Sequence, residues 1–366
     1  MVAILHLGRS TAKGEAVRVR SWAELIDAAG GQPEPVALLS DHRSGAGVDV
    51  RAMASVLGGH AVPEAALWSA ASVLARLDQL QPRAIVCVTS RAFRPELVTG
   101  RWVTILDHVD LLSVSYGERS LIARSLPRRM TYATLGHTAR RFEVKSPGLA
   151  SRQVAAGWTD ARALGAEWVP ITVTPRERVR IAPAGPDAVD VCFVGTLSYP
   201  PNVEALEVLG SAWPAVQHAW PGATALVAGS NPVAKVRQLA HQHRWTLLPN
   251  FTDADDVYSR ARLAVSPLLT ASGIQIKVLE AAAYGVPQIV LPAAIAGFEP
   301  GFPVRVARDR FQVADEIVHA LRNPGPAADQ ATRACALVGD RYVAATWAPV
   351  VRELLNLARS DSLTSR

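Results

Sequence analysis

Apolar positions fall into two recurring patterns along this chain. Short runs at 2–7, 84–89, 189–194, 223–228, 262–269 and 288–291 are continuously apolar or nearly so, which predicts strands buried on both faces. Between them lie longer stretches with helical spacing. One is 15–29, with Val17, Trp22, Leu25 and Ile26 on one face, and another is 63–80, with Leu67, Ala71, Val73 and Leu77. The stretches 116–144, 309–323, 326–343 and 347–359 read as further helices, and 35–39, 102–106, 169–171, 245–248 and 302–307 as further short strands. A short helix is also predicted at 253–260, and 302–307 reads as an edge strand. Strand–helix alternation of this kind predicts α/β architecture with parallel sheets. Residues 172–188 break the pattern, carrying Pro175, Pro183 and Pro186 without apolar periodicity, and read as a linker. A chain of 366 residues divided there gives two domains, 1–172 and 189–345.

The stretch richest in chemistry is RLAVSPLLTASGIQIKVLEAAAYG, residues 262–285. It predicts a buried strand, a turn of small residues and then a helix. Ser272 followed by Gln275 has the spacing of a capping box, and Gly285 with Pro287 marks the helix end. Such a turn aims backbone N–H groups, here those of Ser272, Gly273 and Ile274, together with a positive helix end at one point, where an anion such as a diphosphate can sit. Lys277 in the first turn can reach that anion. Glu280, three residues later, lies roughly 9–12 Å from the turn, a fit for the ribose of a nucleotide. The same spacing also suits a plain surface helix with a Lys/Glu pair.

These residues carry a resemblance. SGIQIKVLEAAAYGVPQIV is similar to the nucleotide-sugar motif of glycosyltransferase family 4, with Lys277, Leu279, Glu280, Ala281, Ala283, Gly285 and Pro287 all in place. One position departs: many members have a Glu where this chain has Ser272. A second segment, FVGTLSYPPN from Phe193 to Asn202, resembles the family's glycine turn, in which Gly195 lets the donor phosphates approach, although no Arg follows it here. Asn202 fits a helix cap as well as a ligand contact. The likeness is strong over 189–292, moderate over 103–171 and weak before that.

The resemblance implies a GT-B fold, two Rossmann-like parallel-sheet domains facing across a cleft, with the helix at 346–366 crossing back to the first domain. Trp347 resembles the Trp often found near that crossing; it also suits plain packing. The implied activity is a retaining transfer of sugar from a nucleoside-diphosphate donor to an acceptor hydroxyl, with no metal or cofactor. Lys277 would stabilise the leaving diphosphate, Glu280 would hold the ribose, and Asn250 with Phe251 would form the turn around the base. In the first domain Gly14 matches the family's substrate-facing loop glycine, followed by Arg18. Asp107 or His108, at a strand's carboxyl end, would position the sugar, and D-x-x-D-x-x-S (Asp107, Asp110, Ser113) resembles one branch. Read without the family, Gly14 is a turn residue with Arg18 on the helix surface, Asp110 or Ser113 caps a helix, and His108 is an exposed loop residue. A GT-B epimerase and a non-catalytic nucleotide-sugar-binding subunit are the alternative readings.

Charge and cysteine content add detail. Residues 1–185 hold 23 Lys/Arg against 16 Asp/Glu, so the overall charge of +6 belongs to the first half. Arg119, Arg124, Arg128, Arg129, Arg140, Arg141 and Lys145 crowd one helical stretch. An anionic membrane surface or an acidic acceptor suits that excess, and so does a solvated Arg-rich surface. Nucleic acid is disfavoured, because no recognised binding motif accompanies the charge. Cys87, Cys192 and Cys335 are far apart with no zinc spacing, consistent with a reducing cytoplasm. The sequence shows no spanning segment and no signal peptide, so a cytoplasmic protein is expected.

Overall fold

A computed structural model of the chain describes residues 1–8, 13–39, 50–123, 125–174 and 187–357. The polar loop expected at 41–47, Arg124 and most of the predicted linker lie outside the described residues. The chain divides into two units, Met1–Thr172 with Ala344–Arg366, and Val173–Val343.

In the first unit the order is β1 (Val2–His6), α1 (Lys13–Ala28), β2 (Pro33–Ala37), α2 (Val50–Leu57), α3 (Ala70–Leu80), β3 (Ala84–Val88) and β4 (Val103–Asp107). Then come α4 (Leu112–Ile122), α5 (Leu126–Lys145), β5 (Arg152–Ala155), α6 (Trp158–Leu164) and β6 (Glu167–Trp168). All six strands are parallel, in the order β2-β1-β3-β4-β5-β6. Side chains alternate through the sheet. Ala3, Leu5, Ile85 and Cys87 pack on one face with Trp68, Phe93 and Phe142, while Val2, Ile4, Val86 and Val88 pack on the other with Trp22 and Ile26.

The second unit runs β7 (Val189–Val194), α7 (Pro200–Ala219), β8 (Ala225–Gly229), α8 (Ala234–His243), β9 (Thr246–Pro249), α9 (Asp255–Tyr258) and β10 (Ala261–Ser266). It continues with α10 (Ile276–Ala283), β11 (Gln288–Val290), β12 (Arg305–Val306), α11 (Val313–Arg322) and α12 (Pro324–Arg341). Its parallel sheet has the order β12-β11-β10-β7-β8-β9. After α12 the chain returns to the first unit as α13 (Ala344–Leu354), whose Val351 and Leu354 join the cluster around Trp22 and Ile26. Arg352 donates to the Ala29 carbonyl, and Trp347 meets Trp168 edge-on at 5.1 Å.

Strand positions follow the sequence pattern, and β7 coincides with the predicted run. Helix boundaries differ most at 63–80 and 116–144. The stretch 63–80 is broken: Trp68 is extended, and Ser69 caps α3 by accepting from the Ser72 amide at 3.3 Å. The stretch 116–144 is an antiparallel pair, α4 and α5, because Pro127 has no N–H and is tolerated only in a first helical turn. The strand expected at 169–171 falls instead at Glu167–Trp168, and α2, β5, α6 and α8 carry no distinct sequence signal.

Candidate functional site

In each sheet the strand order reverses beside its first strand, which places the crevice for a ligand at the carboxyl ends of the strands flanking the reversal. In the second unit these are β7 and β10. Four turns lie on this edge: Gly195 after β7, Gly229 to Asn231 after β8, Asn250 after β9 and Gly273 after β10. Asn231 and Asn250 take positive φ, 53° and 56°, which asparagine tolerates, and Asn250 N–H donates to the Gly229 carbonyl at 2.9 Å. Asn250 is exposed, while Phe251 packs against the cluster around Tyr258. Gly229 cannot be replaced without moving backbone, since a Cβ there would lie 1.7 Å from the Gly195 carbonyl oxygen.

The turn before α10 departs from the expected cap. The helix begins at Ile276 with Gln275 as its N-cap residue, so Ser272 is three residues outside it. The Gln275 amide donates back to the Ser272 carbonyl at 3.1 Å, and Gly273 turns the chain at φ 64°. Gly297 backs the turn: a Cβ there would meet the Gly273 oxygen at 2.3 Å. Lys277 therefore stands in the first turn of α10 and Glu280 three residues on.

Lys277 Nζ donates to Asn202 Oδ1 at 2.5 Å and lies 4.7 Å from the centre of the Phe193 ring. Burial pushes its pKa down to about 7, and the neutral Asn202 amide supplies no charge to offset that. Asn202 is itself buried and anchored, its Nδ2 donating to the Thr196 carbonyl at 2.9 Å. Tyr199 occupies the N-cap position of α7 without a side-chain cap bond, and Asn202 lies inside the helix, where it holds Lys277 and is not the cap. Gly195 makes room for this pair, because a Cβ on it would sit 2.7 Å from Asn202 Nδ2 and 3.1 Å from Lys277 Nζ. Glu280 hydrogen-bonds the buried Tyr258 hydroxyl, whose pKa rises well above its usual value, first through burial and then through that carboxylate. Tyr258 also lies 3.1 Å from the Lys277 carbonyl oxygen, which ties the two charged residues to one phenol. Asn202 and Tyr258 went unrecognised in the sequence as supports; only the proximity of Asn202 to the glycine turn pointed toward it.

The first-unit candidates are placed differently. Gly14 belongs to α1 and is exposed, not part of a loop. Arg18, expected on the helix surface, is fully buried and pairs with Asp107 at 2.6 Å. Asp107 is also fully buried, and its Oδ2 accepts from Trp22 Nε1 at 2.7 Å as well. Its Oδ1 accepts the Val109 amide at 3.0 Å. His108, expected in an exposed loop, is buried between Ser90 Oγ at 3.1 Å and Gln153 Oε1 at 2.9 Å. Burial lowers its pKa and keeps the ring neutral. Every polar side-chain atom of Asp107 and His108 thus has a partner inside the unit. The start of α4 is likewise satisfied by neither Asp110 nor Ser113: Glu143 on α5 accepts the Ser113 amide at 2.9 Å and its hydroxyl at 2.5 Å. Backbone strain marks this edge. Thr89 after β3 and Val109 after β4, both β-branched, hold φ of 68° and 59°.

Two parallel sheets, each with a helix-flanked carboxyl edge and one bearing a glycine turn, a held ammonium and a carboxylate one helical turn beyond it, have the form of doubly wound α/β domains that take ligands at that edge. Residues 188–323 match the family model described as Glycosyl transferases group 1. The match lies within the second unit, which is similar to that family over this span. Solved structures share the fold over almost the whole chain. Sucrose-phosphate synthase from Thermosynechococcus elongatus superposes with a TM-score of 0.67 at 14% identity, covering 98% of this chain and 99% of its own. Anabaena HepE in complex with UDP-glucose gives 0.64 at 14% identity, with the same coverage of 98% and 99%. A glycosyltransferase from Rickettsia africae gives 0.60 at 10% identity, again covering 98% and 99%. No curated protein matches the sequence.

Proposed function

We propose that the chain transfers a sugar from a nucleoside-diphosphate donor to an acceptor hydroxyl with retention of anomeric configuration. The observation that carries this reading is the Lys277 ammonium, held by Asn202 beside Gly195 at the start of α10, with Glu280 one turn further along. The diphosphate lies against the turn of Ser272, Gly273 and Ile274 and against Lys277. Glu280 accepts the ribose hydroxyls, and the turn of Asn250 and Phe251 borders the base. The acceptor hydroxyl attacks the anomeric carbon from the face the diphosphate leaves, and its proton passes to the departing phosphate oxygen. Lys277 and the first-turn amides of α10 stabilise the charge that develops there. HepE was crystallised with UDP-glucose, so that donor is the first to test.

The test is release of nucleoside diphosphate from a panel of nucleotide sugars, measured for the wild type, Lys277→Ala and Glu280→Ala. Slow hydrolysis is expected from the wild type. Lys277→Ala should lower the rate by about 10²–10³, and Glu280→Ala should chiefly weaken donor binding. Unchanged kinetics in both variants would remove the assignment. Ser272, where many relatives have a Glu, favours a second reading as a non-catalytic binding subunit. Nucleotide sugar binding without any turnover would support that second reading, and donor epimerised without acceptor would point to an epimerase.

A further inference from the structure

The helix pair α4–α5 carries a feature that glycosyl transfer does not account for. Every residue from Ser125 to Thr131 is exposed, including Leu126 at 68% and Met130 at 63%, and Leu121 on α4 is 71% exposed. The inner side of α5 packs normally, with Gly136, Ala139 and Phe142 buried. Its outer side is unusual. At 100° per residue, Leu126, Met130, Ala133, His137 and Val144 fall within about 40° of one line along the helix. Arg129 and Arg140 lie to one side of that line and Arg141 and Lys145 to the other. Val144 is 73% exposed, so the stripe is apolar and open at both ends of a helix of 20 residues, about 30 Å long. The surface continues onto α2. Lys145 Nζ donates to the Gly58 carbonyl at 2.6 Å, beside Leu57, which is 70% exposed.

The charge on this surface has one sign. Residues 119–145 contain seven Lys/Arg and a single acidic residue, Glu143, which is buried against Ser113. An acidic protein partner would match the arginines and leave the leucines facing water. A second copy would bring arginine against arginine. Large apolar side chains bordered by arginines whose stems can lie along the surface match a bilayer, with acyl chains below the phosphate plane and anionic headgroups at it. We propose that the outer face of α5 and the α4–α5 tip dock on an anionic lipid surface, with Leu126, Met130 and Val144 entering the interface and the flanking arginines binding lipid phosphates. Among the described residues no helix is long and apolar enough to cross a membrane, so this contact is peripheral. It is independent of the chemistry at β7 and β10.

The full chain is tested by co-sedimentation with large vesicles of phosphatidylcholine alone and of phosphatidylcholine with about 30% phosphatidylglycerol, a fraction that sets a strongly negative surface. Binding to the anionic vesicles only is expected, weakening as salt rises. Arg140→Ala with Arg141→Ala should reduce binding about 30-fold, at about fivefold per cation. Leu126→Ser with Met130→Ser should reduce it about tenfold or more while leaving the salt dependence in place. These four positions are exposed, and both double variants should keep the wild-type melting temperature. Equal binding to neutral vesicles, no binding to either, or full binding by both variants would overturn the proposal. So would a dimer in solution that the leucine variant abolishes, since a second copy would then be the occupant.

Discussion

The carboxyl ends of β4 and β10 offer charged residues in similar sequence settings, yet the two edges do opposite things. After β4, Asp107 and His108 turn inward: Asp107 is gripped by Arg18, Trp22 and the Val109 amide, and His108 by Ser90 and Gln153. After β10 the chain runs through a glycine turn into a helix, and Lys277 sits half-buried over Phe193 with its Nζ donating to the neutral side chain of Asn202. A buried ion pair fixes a shape. A desolvated lysine beside an amide keeps much of its charge unneutralised, so it can gain on meeting an anion.

The largest expected effect tests the first half of that contrast. Asp107→Ala leaves Arg18 fully buried without its carboxylate and should destabilise the protein by about 3–5 kcal/mol, read by thermal or urea denaturation. Asp107→Asn, which keeps the shape but not the charge, should recover part of the loss. If Asp107→Ala instead melted like the wild type while transfer was abolished, Asp107 would be a chemical group after all, and the two edges would be alike.

The contrast also shows what the sequence made legible. Strand positions were visible because buried parallel strands are nearly all apolar, as in VDVCFV, which is buried throughout. The turn at Gly273 and the lysine in the following helical turn were visible because they lie close together in sequence. The roles of Asp107 and Arg18 were hidden because the pair is separated by 89 positions, and a strand-end Asp reads the same whether it faces solvent or a guanidinium. Asn202 was hidden for a similar reason, standing 75 positions from the lysine it holds. The cap of α10 was misread since Ser272 and Gln275 have capping-box spacing, but Gly273 at positive φ delays the helix to Ile276. Local spacing thus identified where an anion could sit; the supports that aim the lysine come from distant segments.

A smaller effect sharpens the second half. Gly195→Ala would place a methyl 2.7 Å from Asn202 Nδ2, and Asn202 is too short and too firmly anchored to yield. The Lys277 end is flexible and should shift instead. Affinity for a nucleoside diphosphate should fall about tenfold, and the crowding against Asn202 should lower stability by about 1–3 kcal/mol. Calorimetric titration measures this. An unaltered affinity would mean that the lysine's place beside Gly195 is incidental.

A third effect depends on pH and tests the neutrality of Asn202. In the free protein Lys277 is lowered from an ordinary value of 10.5 to about 7, so above pH 7 a bound diphosphate must recruit a proton to the ammonium. Affinity should therefore fall with rising pH from about 7 to 9, approaching tenfold per unit while the bound lysine stays charged. The stability of the unliganded protein should move the other way. The unfolded chain binds the lysine proton over pH 7 to 10.5 where the folded chain does not, so this group's contribution favours folding as pH rises through that window. Asn202→Asp places a carboxylate against Nζ and raises the lysine pKa. The affinity loss should then shift to higher pH, and the rise in stability should shrink. At pH 6, where the wild-type lysine is already charged, the added carboxylate should repel the diphosphate and weaken binding relative to wild type. Parallel pH profiles for wild type and Asn202→Asp would show that the lysine is not governed by this contact, and the distinction between an anchored edge and a poised one would have to rest on Glu280 and Tyr258 instead.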